Sequence, residues 1–531
     1  MSNKRSEAII RLSNLLNNIS DPRRKAMLGD KIDNILSKYF DRISSDKLAA
    51  SIVSRYGSES LNSKYGVFQS IIDSFDKEDL LSLSKFLSLD NDYDTVKSSI
   101  DSKLKLFLEY FKQSSYFLTK KEKDKRVTHF KISLDYGATL KSLGFPHPYQ
   151  NRVKLELEDR INNHPNGYST LIVMPTGSGK TRTAIEFMID FIRSKLNSNI
   201  LWVVESPQLS EQSLNSFVEL WRLRGDRELD VYRCFNNFTP SNNVDFVNKT
   251  NIIFGAFQKM NSLKDREDSF YQLLSENIDL IIIDEAHFSL AETYENLISD
   301  IFNKNKNILK IGLTATPMRQ DDNEFYGLKN YFNKNIVDFK DEKHQTIEDP
   351  LKYLQNEGYL SQIEIEYLNI PKSEIYESSK EFNDKVIERI ISSVNQDKQI
   401  IVFARSKYHA IALDILLKDK KIKSECVVGE TSTYDRQLFF KCFEFQKGHE
   451  DKVNVLINFD ILATGIDLPK VDELFLLRKF GNHTTAMQVL GRALRGFKNG
   501  GNKMNKVISV KSNEEIVHDP SNLYNLIKNM Y

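Results

Sequence analysis

A glycine-rich segment near the middle of the chain has the residue types needed to hold phosphate groups. Residues 175–181 read P-T-G-S-G-K-T and stand between an apolar run, 169–174, and an amphipathic run, 182–193. A glycine-rich turn between a strand and a helix lets backbone N–H groups point at phosphate oxygens, and the helix N-terminus adds positive partial charge. The lysine of such a loop reaches the terminal phosphates, and the following hydroxyl contacts Mg²⁺. The predicted nucleotide ligands are Thr176, Gly177, Ser178, Gly179, Lys180 and Thr181, of which Thr181 is also a predicted Mg²⁺ ligand.

A pair of carboxylates follows a second apolar run further along the chain. Residues 280–283 read L-I-I-I and are followed directly by Asp284 and Glu285. A carboxylate at the carboxyl end of a parallel strand faces the ligand-binding crevice. Asp284 is therefore predicted to bind Mg²⁺ through water, and Glu285 is predicted to accept a proton from an attacking water. Together with Lys180, these two residues are predicted to be catalytic.

The elements that must position these residues change in character along the chain. Residues 1–115 are poor in Gly and Pro and carry apolar residues at helical spacing, which predicts helices. From about residue 130, short β-rich apolar runs alternate with helical patterns, which is typical of parallel α/β domains. The runs form two series: 169–174, 200–204, 252–254, 280–283 and 308–313, and then 363–367, 399–403, 424–428, 453–457, 473–477 and 506–510.

These patterns predict three domains. An all-helical domain is expected over residues 1–130, a first α/β domain over 131–345 and a second α/β domain over 346–531. The charged cluster at 120–126 is predicted to be a linker. Because the predicted nucleotide-site residues all lie beyond Phe145, removal of residues 1–125 is expected to leave the remainder folded. The alternative is that the helices brace the core of the first α/β domain.

Composition excludes several classes of protein. The chain has 531 residues, 40% of them hydrophobic and 28% charged, which is ordinary for a globular protein. No stretch approaches the roughly 20 apolar residues of a membrane-spanning helix, and the polar N-terminus lacks the pattern of a signal peptide. Three distant cysteines exclude a disulfide framework and a four-cysteine zinc site. We therefore expect a cytoplasmic protein with no membrane partner.

Net charge is only +1, but the basic residues are unevenly distributed. Residues 474–513 contain no acidic residue and eight basic ones, which indicates anion binding in this stretch.

Four further motifs lie around the two already described. They are residues 148–150 (P-Y-Q), 312–317 (G-L-T-A-T-P), 464–469 (T-G-I-D-L-P) and 488–495 (Q-V-L-G-R-A-L-R). Together with the glycine-rich loop and D-E-A-H at 284–287, they make residues 145–511 resemble the superfamily 2 helicases and translocases. The resemblance implies two tandem RecA-like domains, each a parallel sheet flanked by helices, with ATP and Mg²⁺ bound between them.

The resemblance also implies roles for residues in the second domain. Arg492 and Arg495 match the two arginines of Q-x-x-G-R-x-x-R and are expected one helical turn apart, facing the terminal phosphate. A guanidinium remains charged and donates two hydrogen bonds to phosphate. Gln488 is expected on the same helix face, and all three residues are implied to be catalytic. The other residues with implied roles are Gln150 for adenine, Gly465 and Asp467 for nucleotide binding, and Thr314 and Thr316 for coupling hydrolysis to movement.

Weaker matches imply contacts to nucleic acid. These contacts are Ser206, Gln258, Arg405, Thr431 and Thr464. Each of them is equally compatible with a role in the scaffold.

The exact sequences of two motifs favour a DNA-directed motor. D-E-A-H followed by L-T-A-T-P-x-R at 313–319 resembles the motor subunits of type I and type III restriction systems and related bacterial DNA helicases. This resemblance implies DNA as the favoured partner and a setting in bacterial defence or repair. It also implies a protein partner, a nuclease or a recognition subunit, held through the helical N-terminal domain. Two alternatives remain open: an RNA-directed helicase with the same core, and an ATP-gated clamp that binds nucleic acid or a partner without unwinding.

Overall fold

The computed structural model describes most of the chain. The described residues are 2–57, 61, 66–118, 126–133, 144–164, 167–315, 322–337, 339–341, 343, 345–446, 448–459, 471–478, 489, 491 and 495–511. Six predicted site residues lie outside them: Thr316, Thr464, Gly465, Asp467, Gln488 and Arg492. Most of the predicted linker, residues 120–125, also lies outside them.

The described part of the N-terminal region is helical, as predicted. Its helices are α1 (Ser2–Leu16), α2 (Asp21–Leu28), α3 (Asp30–Leu36), α4 (Ser45–Tyr56), α5 (Val67–Ile72), α6 (Lys77–Leu87), α7 (Tyr93–Ser98) and α8 (Leu104–Tyr110), followed by a 3₁₀ turn at Ser115–Leu118. Some of these helices begin at a side-chain cap. The Asp76 carboxylate accepts the N–H of Asp79 at 2.8 Å and so caps the N-terminus of α6. In α1, Ala8, Leu12 and Leu16 recur every four residues and are fully buried.

The first α/β domain, residues 126–337, contains an eight-stranded sheet. Its strands are β1 (His129–Ile132), β2 (Ser169–Val173), β3 (Asn199–Val204), β4 (Leu229–Cys234), β5 (Asn251–Ala256), β6 (Leu280–Ile283), β7 (Leu309–Thr314) and β8 (Ile336–Val337). Their order is β1-β4-β5-β3-β6-β7-β2-β8, and β1 alone of these strands is antiparallel to its neighbour. Its helices are α9 (Pro148–Asn162), α10 (Lys180–Ser194), α11 (Pro207–Arg224), α12 (Phe257–Asp265), α13 (Ser269–Asn277), α14 (Glu292–Lys304) and α15 (Asp322–Tyr331).

The second α/β domain, residues 350–511, contains a six-stranded parallel sheet. Its elements are α16 (Pro350–Asn356), β9 (Gln362–Asn369), α17 (Lys380–Asn395), β10 (Ile400–Phe403), α18 (Lys407–Asp419), β11 (Ser424–Val427), α19 (Thr433–Glu444), β12 (Val455–Asn458), β13 (Glu473–Leu476) and β14 (Met504–Lys511). The strand order is β11-β12-β10-β13-β14-β9. Central strands of both sheets, such as β6 and β10, are buried at every position, because helices cover both sheet faces. The predicted architecture of two parallel α/β domains with a helical N-terminal region is confirmed.

The N-terminal helices share a hydrophobic core with the second α/β domain. Leu12, Val53 and Phe107 belong to the same buried cluster as Ile411 and Val455. The alternative that these helices brace the first α/β domain is therefore wrong, because their apolar faces pack on the second α/β domain. The shared core also argues against the expectation that the remainder stays folded without residues 1–125, because their removal would expose this face of the second domain. The first domain begins instead with β1, which crosses the boundary predicted at residue 130 by pairing with β4.

A buried ionic cluster joins α1 and α4 to this second domain. The Arg5 guanidinium pairs with the Glu425 carboxylate and also donates to the Ser54 hydroxyl at 3.2 Å. Ser54 in turn donates to Asp414 at 3.3 Å, and Lys418 donates to Asp414 at 2.7 Å. Burial alone would raise the pKa of Glu425, but Arg5 and Lys418 together hold that pKa below its ordinary value.

Among the described residues, no helix is both long enough and apolar enough to cross a lipid bilayer.

We predict that Arg5→Met destabilises the protein far more than a matched change at the same interface. Removing one partner of a buried pair costs about 3–5 kcal/mol, because the other charge remains buried. Lys47 pairs with Asp419 at 3.0 Å in a more exposed setting, so Lys47→Met is expected to cost less than about 1 kcal/mol. Urea unfolding gives both values. Equal losses in the two variants would contradict a buried role for Arg5.

Candidate nucleotide-binding site

The glycine-rich loop has the backbone conformation that its sequence requires. It runs from the end of β2 to the first residue of α10, Lys180. Gly177 and Gly179 have φ angles of 81° and 85°, in the left-handed region that favours glycine. A Cβ on Gly179 would lie 2.3 Å from Nε2 of Gln150. The backbone conformation at this position therefore favours glycine, and a side chain here would displace the Gln150 amide.

The predicted magnesium ligands lie side by side at the base of this loop. The Thr181 hydroxyl donates to Oδ2 of Asp284 at 3.2 Å. Asp284 follows β6 and is buried together with Lys180. Burial and the neighbouring Glu285 raise the pKa of Asp284 to about 6, and Lys180 acts in the opposite direction. A hydroxyl and a carboxylate beside a phosphate-binding loop are the hard oxygen ligands that suit Mg²⁺.

Glu285 is held in an unusual backbone conformation. Its φ is 51°, in the left-handed region, which is strained for a residue with a Cβ. Its N–H donates to Oδ1 of Asp284 at 3.0 Å. Oε2 of Glu285 lies 3.5 Å from Nδ1 of His287, whose pKa is lowered by burial. Within the described residues, neither ring nitrogen of His287 has a hydrogen-bond partner.

The start of α9 lies against the loop. The Gln150 side chain accepts the N–H of His147 at 2.9 Å and donates to the Ser178 carbonyl at 2.9 Å. The Tyr149 hydroxyl donates to that same carbonyl at 2.6 Å. The two hydrogen bonds of Gln150 use one lone pair and one N–H of its amide, so one lone pair and one N–H remain for a ligand. Adenine recognition by Gln150 stays a prediction, and the structure adds a loop-positioning role.

The second domain meets the loop at a glycine. A Cβ on Gly491 would lie 2.0 Å from Cγ2 of Thr176. Gly491 is the glycine of Q-V-L-G-R-A-L-R. The side chain of His147 also hydrogen-bonds Asn499 across the domain boundary, and the Tyr149 ring packs edge-on against Tyr359 at 4.8 Å between centroids. The loop therefore lies at the boundary between the two α/β domains.

Arg495 differs from its expected conformation. It forms an antiparallel bridge with Leu360, and the next residue, Gly496, donates its N–H to the Tyr359 carbonyl at 3.1 Å. The expectation of one helix face through Arg492 and Arg495 is therefore wrong at position 495, because Arg495 bridges a strand-like partner instead of continuing a helix. Its contact to phosphate stays a prediction.

The predicted coupling residue Thr314 and the predicted nucleic-acid residues Ser206 and Arg405 all make hydrogen bonds within the protein. Thr314 ends β7 beside the loop, and its carbonyl accepts the N–H of Met174 at 3.1 Å. Ser206 caps α11 by accepting the N–H of Leu209 at 3.3 Å. Arg405 donates to the Leu477 carbonyl at 3.1 Å.

Two further predicted nucleic-acid residues differ in exposure. Thr431 is buried, and its hydroxyl accepts the N–H of Val428 at 3.0 Å. Gln258 is exposed at the start of α12. Contacts of all these residues to nucleic acid stay predictions.

One carboxylate at this edge was not singled out from the sequence. Val203 in β3 pairs with Ile283 in β6. Glu205 lies two residues after Val203, and Glu285 lies two residues after Ile283. The two carboxylates therefore reach the same edge of the sheet. Burial, and then Glu285, raise the pKa of Glu205. The signal was an acidic residue directly after the apolar run 200–204, as Asp284 follows 280–283.

Comparisons with known proteins match both α/β domains. Residues 145–319 match the family "Type III restriction enzyme, res subunit", and residues 382–496 match the "Helicase conserved C-terminal domain". The chain belongs to the superfamily 2 helicases and translocases. Members of this superfamily hydrolyse ATP.

Curated relatives and one solved structure agree with this assignment. "Putative helicase 22" of Sulfolobus islandicus filamentous virus is 24% identical over 68% of this chain and 64% of that protein. The "Type I restriction enzyme EcoKI endonuclease subunit" of Escherichia coli K12 is 24% identical over 61% of this chain and 31% of that protein. The structure of "ATP-dependent Type ISP restriction-modification enzyme LlaBIII bound to DNA" shares the fold, with a TM-score of 0.51, 16% identity, and coverage of 70% of this chain and 28% of that one. The chain thus spans less than two thirds of each of these proteins.

We predict that Lys180→Ala reduces ATP turnover by at least about 10²–10³-fold, the usual cost of removing one preorganised electrostatic contact. Lys180 acts on phosphate charge, so the variant should stay folded. Lys306→Ala is the matched control, because Lys306 is exposed before β7, at the opposite edge of the sheet. Steady-state phosphate release measures both. Near-normal turnover in the Lys180 variant would refute the loop assignment.

A second prediction concerns Glu285→Gln, which keeps the size of the side chain and removes the base. ATP binding should persist while turnover falls by about 10²–10⁴-fold. Glu292→Gln, an exposed carboxylate at the start of α14, is the control. Fluorescent-nucleotide binding separates affinity from turnover. Loss of binding in the Glu285 variant would mean that this residue is structural.

Proposed function

We propose that this chain is an ATP-driven DNA motor, a translocase or helicase in which nucleotide lies between the two α/β domains. The observation that carries the proposal is the approach of Gly491 to Thr176, which brings the second domain against the phosphate loop. A nucleotide on this loop contacts both domains, so its hydrolysis changes their preferred spacing. Such a change between two packed bodies is what a motor needs.

The residues of the site divide the chemistry among them. Lys180 neutralises charge on the terminal phosphates, and Glu285 orients the attacking water and accepts its proton. Thr181 and Asp284 would hold Mg²⁺, which supplies further neutralisation of phosphate charge. We also assign contacts to the phosphates to Arg492 and Arg495, approaching from the second domain.

We propose DNA as the nucleic acid on which the motor moves, because of the descriptions of two similar proteins. One is a type I restriction endonuclease subunit, and the structure that shares the fold is described as bound to DNA. We further propose a cytoplasmic setting in defence or repair. A nuclease or recognition subunit would bind through the N-terminal helices. Because these helices share a core with the second α/β domain, such a partner would move with that domain.

The decisive experiment compares ATP turnover with single-stranded DNA, duplex DNA and single-stranded RNA of equal length. Stimulation by DNA is expected. Stimulation by RNA alone would favour the RNA-directed alternative, and no stimulation by any of the three would favour a clamp. Strand displacement, compared with displacement of a third strand from duplex, then separates unwinding from translocation.

We predict that DNA affinity falls steeply with salt although the net charge is only +1. Local basic residues release counterions from the phosphate backbone, so affinity should drop by orders of magnitude between about 50 and 200 mM salt. Fluorescence anisotropy over this range measures the slope. An affinity that stays constant would contradict backbone binding.

A further inference from the structure

A polar stripe runs along one face of α12, at the carboxyl edge of the first sheet. The stripe consists of Gln258, Asn261, Ser262 and Asp265, spaced by three, four and seven residues as on one helix face. The opposite face buries Phe257, Met260 and Leu263. The polar stripe is therefore not required by the fold of α12.

This stripe forms one wall of a cleft. Arg266 extends the wall at the end of α12, and Thr293 and Tyr294 of α14 form the other side. The cleft has a volume of about 530 Å³. That is within the range of small-molecule sites, about 300–1,000 Å³.

The Tyr294 ring is held rigidly in this cleft. It stacks on Phe257 with 4.1 Å between centroids and 14° between planes. Phe257 is fully buried, so it fixes one face of the tyrosine ring. Tyr294 also lines the cleft, where a flat ligand can stack on it.

The polar groups of the cleft are available to a ligand. Neither the Gln258 amide nor the Asn261 amide makes a hydrogen bond to any residue that the structure describes, and Arg266 forms no ion pair with one. Amides match the donor and acceptor edge of a base, a carboxylate such as Asp265 accepts an exocyclic amino group, and a guanidinium binds phosphate.

The position of the cleft suits a nucleic-acid strand rather than the nucleotide. Strands β3, β6 and β7 separate β5 from the loop strand β2. Four strand spacings of about 4.8 Å place the two sites roughly 19 Å apart. The cleft and the loop can therefore be occupied at once.

One carboxylate lies between the cleft and the catalytic end of β6. Ala256 pairs with Val204 in β3, so Glu205 emerges between the start of α12 and Glu285. Burial, and then Glu205, raise the pKa of Tyr294. The cleft thus borders Glu205, which in turn neighbours Glu285.

We propose that this cleft binds one unpaired base of single-stranded DNA. The base stacks on Tyr294, its edge is hydrogen-bonded by Gln258 and Asn261, and its phosphate is held by Arg266. The inference rests on the proposed function, since it assigns a subsite of the DNA path. A paired base does not offer its faces, so the subsite selects unpaired strands.

The test compares affinity for oligo(dT) and for an abasic strand of equal length and charge, at one salt concentration. The readout is the ratio of the two dissociation constants. Wild-type protein should bind oligo(dT) more tightly, because stacking of one base on an aromatic ring is worth about 5- to 150-fold. Tyr294→Ala should lower the ratio by about 10-fold, and Tyr294→Phe should retain it. Tyr376→Ala removes an exposed tyrosine of the second domain and should leave the ratio unchanged.

A second variant covers the case in which Tyr294→Ala fails to fold. The double variant Gln258→Ala and Asn261→Ala leaves the Phe257–Tyr294 stack in place. It should lower the ratio several-fold without changing the salt dependence of binding, because base contacts do not release phosphate counterions. Thermal melting establishes which variants are folded.

The outcomes separate this inference from the proposed function. An unchanged ratio in folded Tyr294→Ala, or in the amide double variant, overturns the base subsite and leaves the DNA motor intact. Failure of the wild-type protein to bind either strand overturns the proposed function itself. Binding of RNA strands alone overturns the assignment of this cleft to DNA.

Discussion

The contact between Gly491 and Thr176 is the constraint on which the arrangement of this molecule depends. A methyl group at position 491 would lie 2.0 Å from Thr176, so only glycine permits this approach of the second domain. The phosphate loop therefore lies at a domain boundary and not in an open cleft of one domain. Any ligand on the loop then bears on the relation between the domains, which is how a chemical step becomes a movement.

The second α/β domain is part of a larger packed unit. The N-terminal helices bury Leu12 and Phe107 in the same core as Ile411 and Val455, and Arg5 anchors them to Glu425. Because a shared core is close-packed, it resists continuous deformation. The N-terminal helices and the second domain therefore form one packed unit.

The order of strands in the first sheet brings its functional groups together. Strands β5, β3 and β6 are adjacent. Gln258, Glu205 and Glu285 follow these strands and therefore lie side by side, in that order, along one edge of the sheet. Glu285 has a strained φ of 51°. Burial, and then Glu285, raise the pKa of Asp284 to about 6. Both residues lie at the proposed catalytic end of that edge. Strain and raised pKa values of this kind concentrate at functional sites. The polar cleft lies at the other end of this edge, beside Glu205.

The α/β layout was readable from the sequence, and candidate site residues could be predicted, because both depend on local patterns. A glycine-rich loop between an apolar run and an amphipathic run dictates its own conformation, so Gly177, Gly179 and Lys180 could be assigned in advance. Asp284 and Glu285 were found because they follow a fully apolar strand, which must be central in a covered sheet. The change from helical to α/β character also followed from where the periodicity changes.

Only the tertiary structure decided how these parts meet. The amphipathic helices of residues 1–118 have apolar faces that fit any apolar surface, so their periodicity did not identify the second domain as their partner. Strand order, which brings Glu205 beside Glu285, is set by long-range pairing that leaves no local trace in the chain. Arg495 is not helical because it forms a bridge with Leu360 and its carbonyl accepts the Ser361 hydroxyl, while Gly496 donates its N–H to the Tyr359 carbonyl. These distant partners overrode the helical spacing. Local preference determines what each segment is, and burial against distant partners determines where it lies.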